Sequence, residues 1–318
     1  MEMRDKVFNL LYEADGYISG EVISSRLGIS RAAVWKHIKA LQEEGCLIEA
    51  APRRGYRLQA NGMRFAEVEP HLRTDWLGRD FQYLQEVDST NLYAKKWAIR
   101  GAVNGAVVVA DMQTGGRGRL GRAWCSPSGT GLWMSLVLRP MIAPDKAPQI
   151  TLATAVGVAA GLRDLGYDAG IKWPNDIYIG GRKVCGMLTE MHASMESVEW
   201  VVVGIGINCL DREFAPEIRD IATSLALAAD RPVVRAEVAA AVLNRLEEYY
   251  TLLYRQGFGK IRQEWLANNI TLGKRVKITT LTEMMYGQAL DMNEDGSLLV
   301  AKEDGGEFTL VTGDVFFA

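Results

Sequence analysis

Residues 106–122 read AVVVADMQTGGRGRLGR. The opening AVVVADM is a short apolar run of the kind that forms a buried strand. It leads directly into QTGGRGRLGR at residues 113–122, where Gly115, Gly116, Gly118 and Gly121 are interleaved with Arg117, Arg119 and Arg122. Glycine lets backbone amides approach an anion, and three guanidinium groups suit a ligand carrying carboxylate and phosphate. The loop is neither GxxxxGK[ST] nor a GxGxxG that opens a helix, so the P-loop and dinucleotide-binding readings fail. By itself it reads equally well as a basic glycine-rich surface loop.

Further along, apolar strand runs alternate with helical runs. They are LWMSLVLRP, a helix over 149–165, IYIG, KVCGMLTEM and WVVVGIGIN. The order predicts an α/β or α+β domain around a mixed sheet. KWPND at residues 172–176 puts Lys172, Asn175 and Asp176 at a strand end, with Pro174 fixing the turn. Lys183 starts the following strand, so KWPND and Lys183 flank one hairpin. GIGIN at 204–208 ends another strand on the polar Asn208. Taken singly, each of these reads as a turn with solvated charges.

Upstream, Val7, Leu10 and Leu11 recur at helical spacing. Ser19 is placed to cap a second helix with an inner face of Val22, Ile23 and Leu27, and Gly28 permits the turn that ends it. Ser30 caps a third helix, RAAVWKHIKALQEEG, with Ala33, Val34, Ile38 and Leu41 on one stripe and Gly45 as its stop. Two short helices joined by a glycine turn form a helix-turn-helix. The hairpin around Pro52-Arg53-Arg54-Gly55 then forms a wing. From Arg26 to Gln42 there are four Lys or Arg and no acidic residue. The basic face therefore lies on the third helix, which predicts major-groove contact through Ser30, Arg31, Ala32, Trp35 and Lys36, with Arg53 and Arg54 near phosphates.

The polar stretch 61–69 reads as a linker, and residues 271–318 read as short strands with turn signals at Asp295-Gly296 and Gly305-Gly306. The last segment suggests a small SH3-like β-barrel. With 318 residues, the expected domains are 1–62, 63–270 and 271–318. A net charge of −3 argues against wholesale coating of nucleic acid, so DNA contact must be local. Four cysteines without CxxC spacing and three histidines carry no metal signature and read as reduced cytoplasmic thiols. The charged start MEMRDKVFNL is unlike a signal peptide, and no apolar run reaches the ~18 residues of a membrane span.

GRGRLGR, KWPND, GRKVCGMLTE and GIGIN, in this order and spacing, resemble the biotin–protein ligase family. With the preceding helix-turn-helix, the resemblance is to its bifunctional repressor–ligase members and covers essentially the whole chain. It implies a mixed-sheet, class II synthetase-like α+β ligase core. It also implies attachment of biotin to a carrier-protein lysine through biotinoyl-5′-AMP, made from biotin and ATP with Mg2+. VDSTN at 87–91 resembles the family segment that meets the ureido ring.

On that resemblance Ser89, Thr90, Asn91 and Gln113 take the ring, while Arg117, Gly118 and Arg119 close over the acyl chain. Lys183 sits at the carboxylate and α-phosphate. Arg119, Arg122, Lys172, Asn175, Asp176 and Asn208 lie towards ATP, and Lys183, Arg119 and Asp176 carry the chemistry. The partners implied are a biotin carboxyl carrier protein, operator DNA and a second copy of the adenylate-bound chain, with no membrane. Two rivals remain: a lipoate or octanoyl ligase, and a regulator whose large domain only senses a small molecule.

Overall fold

The computed structural model describes residues 3–14, 16–43, 46, 48–58, 62–280, 284–303 and 305–318. The N-terminal unit contains α1 (Met3–Tyr12), α2 (Gly20–Leu27), α3 (Arg31–Glu43) and an antiparallel hairpin of β1 (Ile48–Ala51) and β2 (Gly55–Leu58). The caps are where the side-chain chemistry puts them. Ser19 Oγ accepts from the Val22 amide at 3.1 Å, Ser30 Oγ accepts from the Ala33 amide at 3.1 Å, and Gly28 turns the chain at φ 65°. Val7, Phe8, Leu11, Ile23, Val34, Ile38 and Leu41 form the core of this unit. One expectation fails: Val22 is 41% exposed, because at about 100° per residue Ile23 alone points squarely inward from so short a helix. The expected stop at Gly45 lies outside the described residues.

The stretch read as a polar linker is partly structured. It holds α4 (Phe65–Val68) and a 3-10 turn, Glu69–His71. Val68 is fully buried, and Glu67 turns its carboxylate back onto the Arg64 amide at 3.1 Å. The central region then supplies β3 (Phe81–Val87), α5 (Thr90–Ile99), β4 (Ala106–Gln113), β5 (Gly131–Leu138), α6 (Ala147–Asp164), β6 (Gly170–Lys172), β7 (Asp176–Ile179), β8 (Arg182–Ala193) and β9 (Val198–Asn208). They are followed by α7 (Leu225–Ala228), α8 (Arg235–Gln256) and α9 (Phe258–Asn268).

Seven strands form one sheet in the order β3-β4-β5-β9-β8-β7-β6, parallel only between β3 and β4. Both faces are covered, which is why β4 and β5 are apolar without alternation. Val107, Val109, Leu136 and Val203 face the large core under α6 and α8, while Val108, Val137 and Val202 face Ala94 and Ala98 of α5. Helix α6 approaches α8 closely at Gly161, where a Cβ would lie 2.8 Å from the Ala241 carbonyl oxygen.

The C-terminal strands β10 (Arg275–Thr279), β11 (Met284–Met292), β12 (Leu298–Lys302), β13 (Glu307–Leu310) and β14 (Asp314–Phe317) make an antiparallel sheet in the order β13-β12-β11-β10-β14. It is tied to KWPND through Trp173, whose indole donates to Gly296 O at 3.1 Å and whose amide donates to Thr271 Oγ1 at 2.9 Å.

Helix α8 also secures the approach to β3. Glu247 accepts the backbone amides of Asp75, Trp76 and Leu77 at 2.8, 2.9 and 2.8 Å. Charge-assisted bonds of this kind leave costly orphans when one partner is removed. Glu247→Ala should lower the unfolding free energy by about 2 kcal/mol, and Glu247→Gln by less. An unchanged midpoint in urea would show that water replaces the carboxylate without loss.

Candidate functional site

The ends of β4, β5, β7, β8 and β9 surround a cavity of about 430 Å³. Its uncharged end is set by the start of α5. Ser89, Thr90 and Asn91 are all buried there. The Gln113 carboxamide oxygen accepts from the Thr90 amide at 2.9 Å and from Thr90 Oγ1 at 3.1 Å, and its nitrogen donates to Ser126 Oγ at 2.8 Å. Ser135 Oγ lies 2.8 Å from Thr90 Oγ1 and 2.6 Å from Asn91 Oδ1. Asn91 Nδ2 donates to Glu190 at 3.0 Å, and Lys95 holds the other oxygen of that carboxylate at 2.7 Å. Such a network fixes which way each amide and hydroxyl points, as recognition of a small polar ring requires.

Two glycines of β9 make the space. A Cβ on Gly204 would lie 2.1 Å from Asn91 Oδ1, and one on Gly206 would lie 2.5 Å from Trp124 Nε1. Trp124 therefore lies against bare backbone, and its buried indole N–H has no protein partner. It was not among the expected site residues. The available signal was its place just after GRGRLGR, opposite the alternating glycines of GIGIN.

The charged end is built from KWPND, Lys183 and the arginine loop. Asp176 takes Lys183 Nζ at 2.7 Å and Lys172 Nζ at 3.4 Å. Lys172 is 5% exposed, and its ammonium lies 5.7–5.8 Å from the ring centroids of Tyr178, Phe316 and Phe317. Burial lowers its pKa from the ordinary lysine value, and Asp176 works against that shift. Asn175 Nδ2 donates to Met187 O at 2.6 Å, and its Oδ1 accepts from Arg119 Nη1 at 3.3 Å. Asn208 Nδ2 donates to Thr223 O at 3.0 Å.

The loop is folded over this end. Gly118 donates to Arg122 O at 2.7 Å, and Leu120 adopts a left-handed φ of 52°. β14 and the turn before it clasp the loop from outside. Arg119 Nη2 reaches Thr312 Oγ1 at 3.4 Å, Arg119 Nε lies 3.8 Å from Asp314, and Arg122 Nη2 lies 2.7 Å from Asp314. The last contact is close but off the hydrogen-bonding direction, since Asp314 Oδ2 has no aligned donor. Arg122 also covers Phe316 at 5.3 Å. Arg117 is exposed at the rim of the cavity that it helps to line.

All of the residues expected around the ligand line this one cavity, Gly118 included. Asp211, Glu213 and Phe214 also line it, from a segment not singled out in the sequence. Among the described residues no group of three or more His, Cys, Asp and Glu is placed to hold a metal ion. Asp176 and Asp314 are engaged with cations, and one buried oxygen of Asp211 has no partner. This donor set fits a magnesium ion that retains waters and phosphate oxygens. Burial pushes the Cys209 thiol up to about 12 and Cys185 also upward, which leaves neither suited to act as a nucleophile.

The expected DNA face lies apart from the cavity. Arg31, Ala32, Trp35 and Lys36 are exposed on α3, and Arg53 and Arg54 on the wing turn. Ser30 Oγ spends one lone pair on the cap, which leaves its hydroxyl hydrogen and a second lone pair for an outside partner. Among the described residues no helix is long and apolar enough to cross a membrane.

Three family models match the chain: an HTH domain over 4–57, the biotin/lipoate A/B protein ligase family over 83–208, and the biotin protein ligase C-terminal domain over 271–318. The bifunctional ligase/repressor BirA of Bacillus subtilis is 41% identical over 309 residues, spanning 95% of either chain. A biotin–[acetyl-CoA-carboxylase] ligase of Paracoccus denitrificans is 32% identical over 74% of this chain and 99% of its own. A solved biotin protein ligase from Aquifex aeolicus, in complex with biotin and ATP, superposes with a TM-score of 0.65 at 32% identity, covering 76% of this chain and 99% of that one.

The clasp on the loop can be tested without any ligand. Arg117, Arg119 and Arg122 are trypsin sites that are protected while the loop is held. A partly exposed ion pair contributes up to ~1 kcal/mol, so Asp314→Ala should speed cleavage between β4 and β5 roughly two- to fivefold. Cleavage at the wild-type rate would mean that the loop holds itself.

Proposed function

The chain belongs to the biotin protein ligase family, and from that membership we propose how its two functions are divided over the structure. It is an ATP-dependent biotin–[acetyl-CoA-carboxylase] ligase and a biotin-dependent repressor. The observation that carries the ligase reading is the polarity of the cavity. A neutral hydrogen-bonding end built on Thr90, Asn91 and Gln113 faces an end where Lys183, Lys172 and Arg119 converge around Asp176 and Asn175.

The biotin ureido ring occupies the neutral end, with the Ser89 hydroxyl free to meet it. The carboxylate then reaches Lys183. One carboxylate oxygen attacks the α-phosphorus of ATP, the bond to the bridging oxygen breaks, and pyrophosphate leaves. Two anions have to meet, so preset cations lower the barrier, which is the part assigned to Lys183 and Arg119. Arg122, Lys172, Asn175 and Asn208 line the nucleotide side. Asp176, held by two ammonium groups, orients them. Magnesium held with the triphosphate beside Asp211 would supply neutralisation of charge on the leaving group. In the second step the amine of the acceptor lysine on a biotin carboxyl carrier protein attacks the anhydride carbonyl and AMP departs. The arginine loop, with Arg117 and Gly118, shields the anhydride from water until then.

We divide the chain at 1–62, 63–270 and 271–318, and read the core as class II synthetase-like and the last five strands as an SH3-like barrel. The α3 face, from Ser30 to Lys36, and Arg53–Arg54 bind operator DNA at genes of biotin synthesis or uptake. One recognition helix reads few base pairs, which favours an adenylate-bound homodimer on a palindromic site. The free thiols suit a cytoplasmic protein. A lipoate ligase is the rival within the same family description, and consumption of biotin rather than lipoate with ATP separates the two.

Removing one group that stabilises developing charge typically costs ~3 kcal/mol. Lys183→Ala should therefore cut biotin-dependent pyrophosphate release about a hundredfold while biotin binding weakens far less. Near-normal turnover would remove Lys183 from the reaction. For repression, operator affinity should rise with biotin plus ATP and fall again on adding unmodified carrier domain. The coupling expected is ~1–3 kcal/mol, and equal affinity in all three conditions would mean that the two functions merely share a chain.

A further inference from the structure

The wing divides its charges unequally. Arg57 Nη2 pairs across the hairpin with Glu49 Oε2 at 2.6 Å. The Tyr17 hydroxyl donates to the other oxygen of the same carboxylate. With Glu49 engaged on both oxygens, Arg54 has no carboxylate partner among the described residues. Instead its guanidinium lies 4.0 Å from the centroid of the Tyr17 ring.

The ring is held in place by backbone. Ile18, next in the chain, exchanges amide hydrogen bonds with Tyr56 of β2 at 2.8 and 2.9 Å. Gly55 allows that approach, because a Cβ there would lie 2.2 Å from the Ile18 carbonyl oxygen. Tyr17 thus lies over the wing as an extra layer.

A guanidinium bound through its face keeps its N–H donors in the ring-parallel plane, open at the edge. Two parallel N–H groups match two oxygens of one phosphodiester. We propose that Tyr17 is a positioning residue for DNA: it holds Arg54 stacked so that the wing presents a preset two-pronged fork to one backbone phosphate. This rests on the DNA-binding reading above and adds how the wing makes its contact. Arg53, at φ 64° on the turn, has no such platform among the described residues.

A phosphate contact is independent of sequence, so random-sequence duplex DNA is a sufficient probe. The full chain is titrated over a range of salt concentrations as wild type, Arg54→Gln, Arg54→Lys, Tyr17→Leu and the Tyr17→Leu/Arg54→Gln double variant. Arg54→Gln should lower the slope of log K against log salt by about one per bound wing. Arg54→Lys and Tyr17→Leu should each keep the slope but weaken binding roughly two- to fivefold, the size of an exposed cation–ring contact. In the Arg54→Gln background, Tyr17→Leu should change nothing further. Equal losses from Tyr17→Leu in both backgrounds would overturn the proposal, as would an Arg54→Lys variant that binds like wild type. A wild-type chain with no affinity for duplex DNA would instead overturn the DNA-binding reading itself, and the proposal with it. The lysine variant changes only an exposed side chain, so its result stands even if loss of the tyrosine ring unfolds the wing.

Discussion

Positive charges have to be held together at one end of the cavity before any anion arrives. Lys172, Lys183, Arg119 and Arg122 converge there, and like charges in a partly desolvated site repel. Two carboxylates offset them. Asp176 lies between the lysines and Asp314 beside the arginines. They act as stand-ins for the ligand's own negative groups. The organisation of the molecule follows from this need. Asp176 comes from a hairpin at the sheet edge, and Asp314 can reach the loop only because the C-terminal sheet packs beside it. Trp173 ties that sheet to KWPND through both its amide and its indole. The C-terminal strands are therefore part of the electrostatics of the site.

The two ends of the cavity use different means of specificity. The neutral end relies on an amide and hydroxyl network in which Gln113, Thr90, Ser135 and Asn91 fix one another. A poorly matched ring would leave buried polar groups unpaired, and that penalty exceeds the gain from a good contact. The charged end relies on concentration of charge around Asp176 and Asp314. The face proposed for DNA consists of exposed side chains. One chain thus carries an enclosed site and an open one.

What was legible in the sequence was chemistry carried by neighbouring residues. Ser19, Gly28 and Ser30 announced the helix-turn-helix because caps are local. QTGGRGRLGR and KWPND announced the charged end because their functional groups lie within a few residues of each other. The roles that escaped notice depend on pairing across the fold. Asp314 meets Arg122 from 192 positions away, and its significance exists only in three dimensions. Trp124 mattered only once the β5–β9 and β8–β9 registers brought Gly206 beneath it. The stretch 61–69 looked polar, yet Val68 packs into the core and Glu67 is buried within its own turn. Composition alone does not reveal such a fold-back. Helix α8 also escaped a reading that followed strands and loops, although its Glu247 holds the chain entering β3.

The glycines of β9 have a consequence for how this pocket can change over time. Gly204 and Gly206 contribute only backbone to the wall, and every other amino acid is larger. Mutation at either position can fill the pocket but never enlarge it. The range of acyl groups accepted can therefore shrink through β9 and widen only through side chains elsewhere in the lining, among them Trp124 over Gly206 and Leu188 beside Gly204 on β8. An engineer seeking room for a bulkier biotin analogue, like a lineage drifting towards a new substrate, has one wall that yields and one already at its limit.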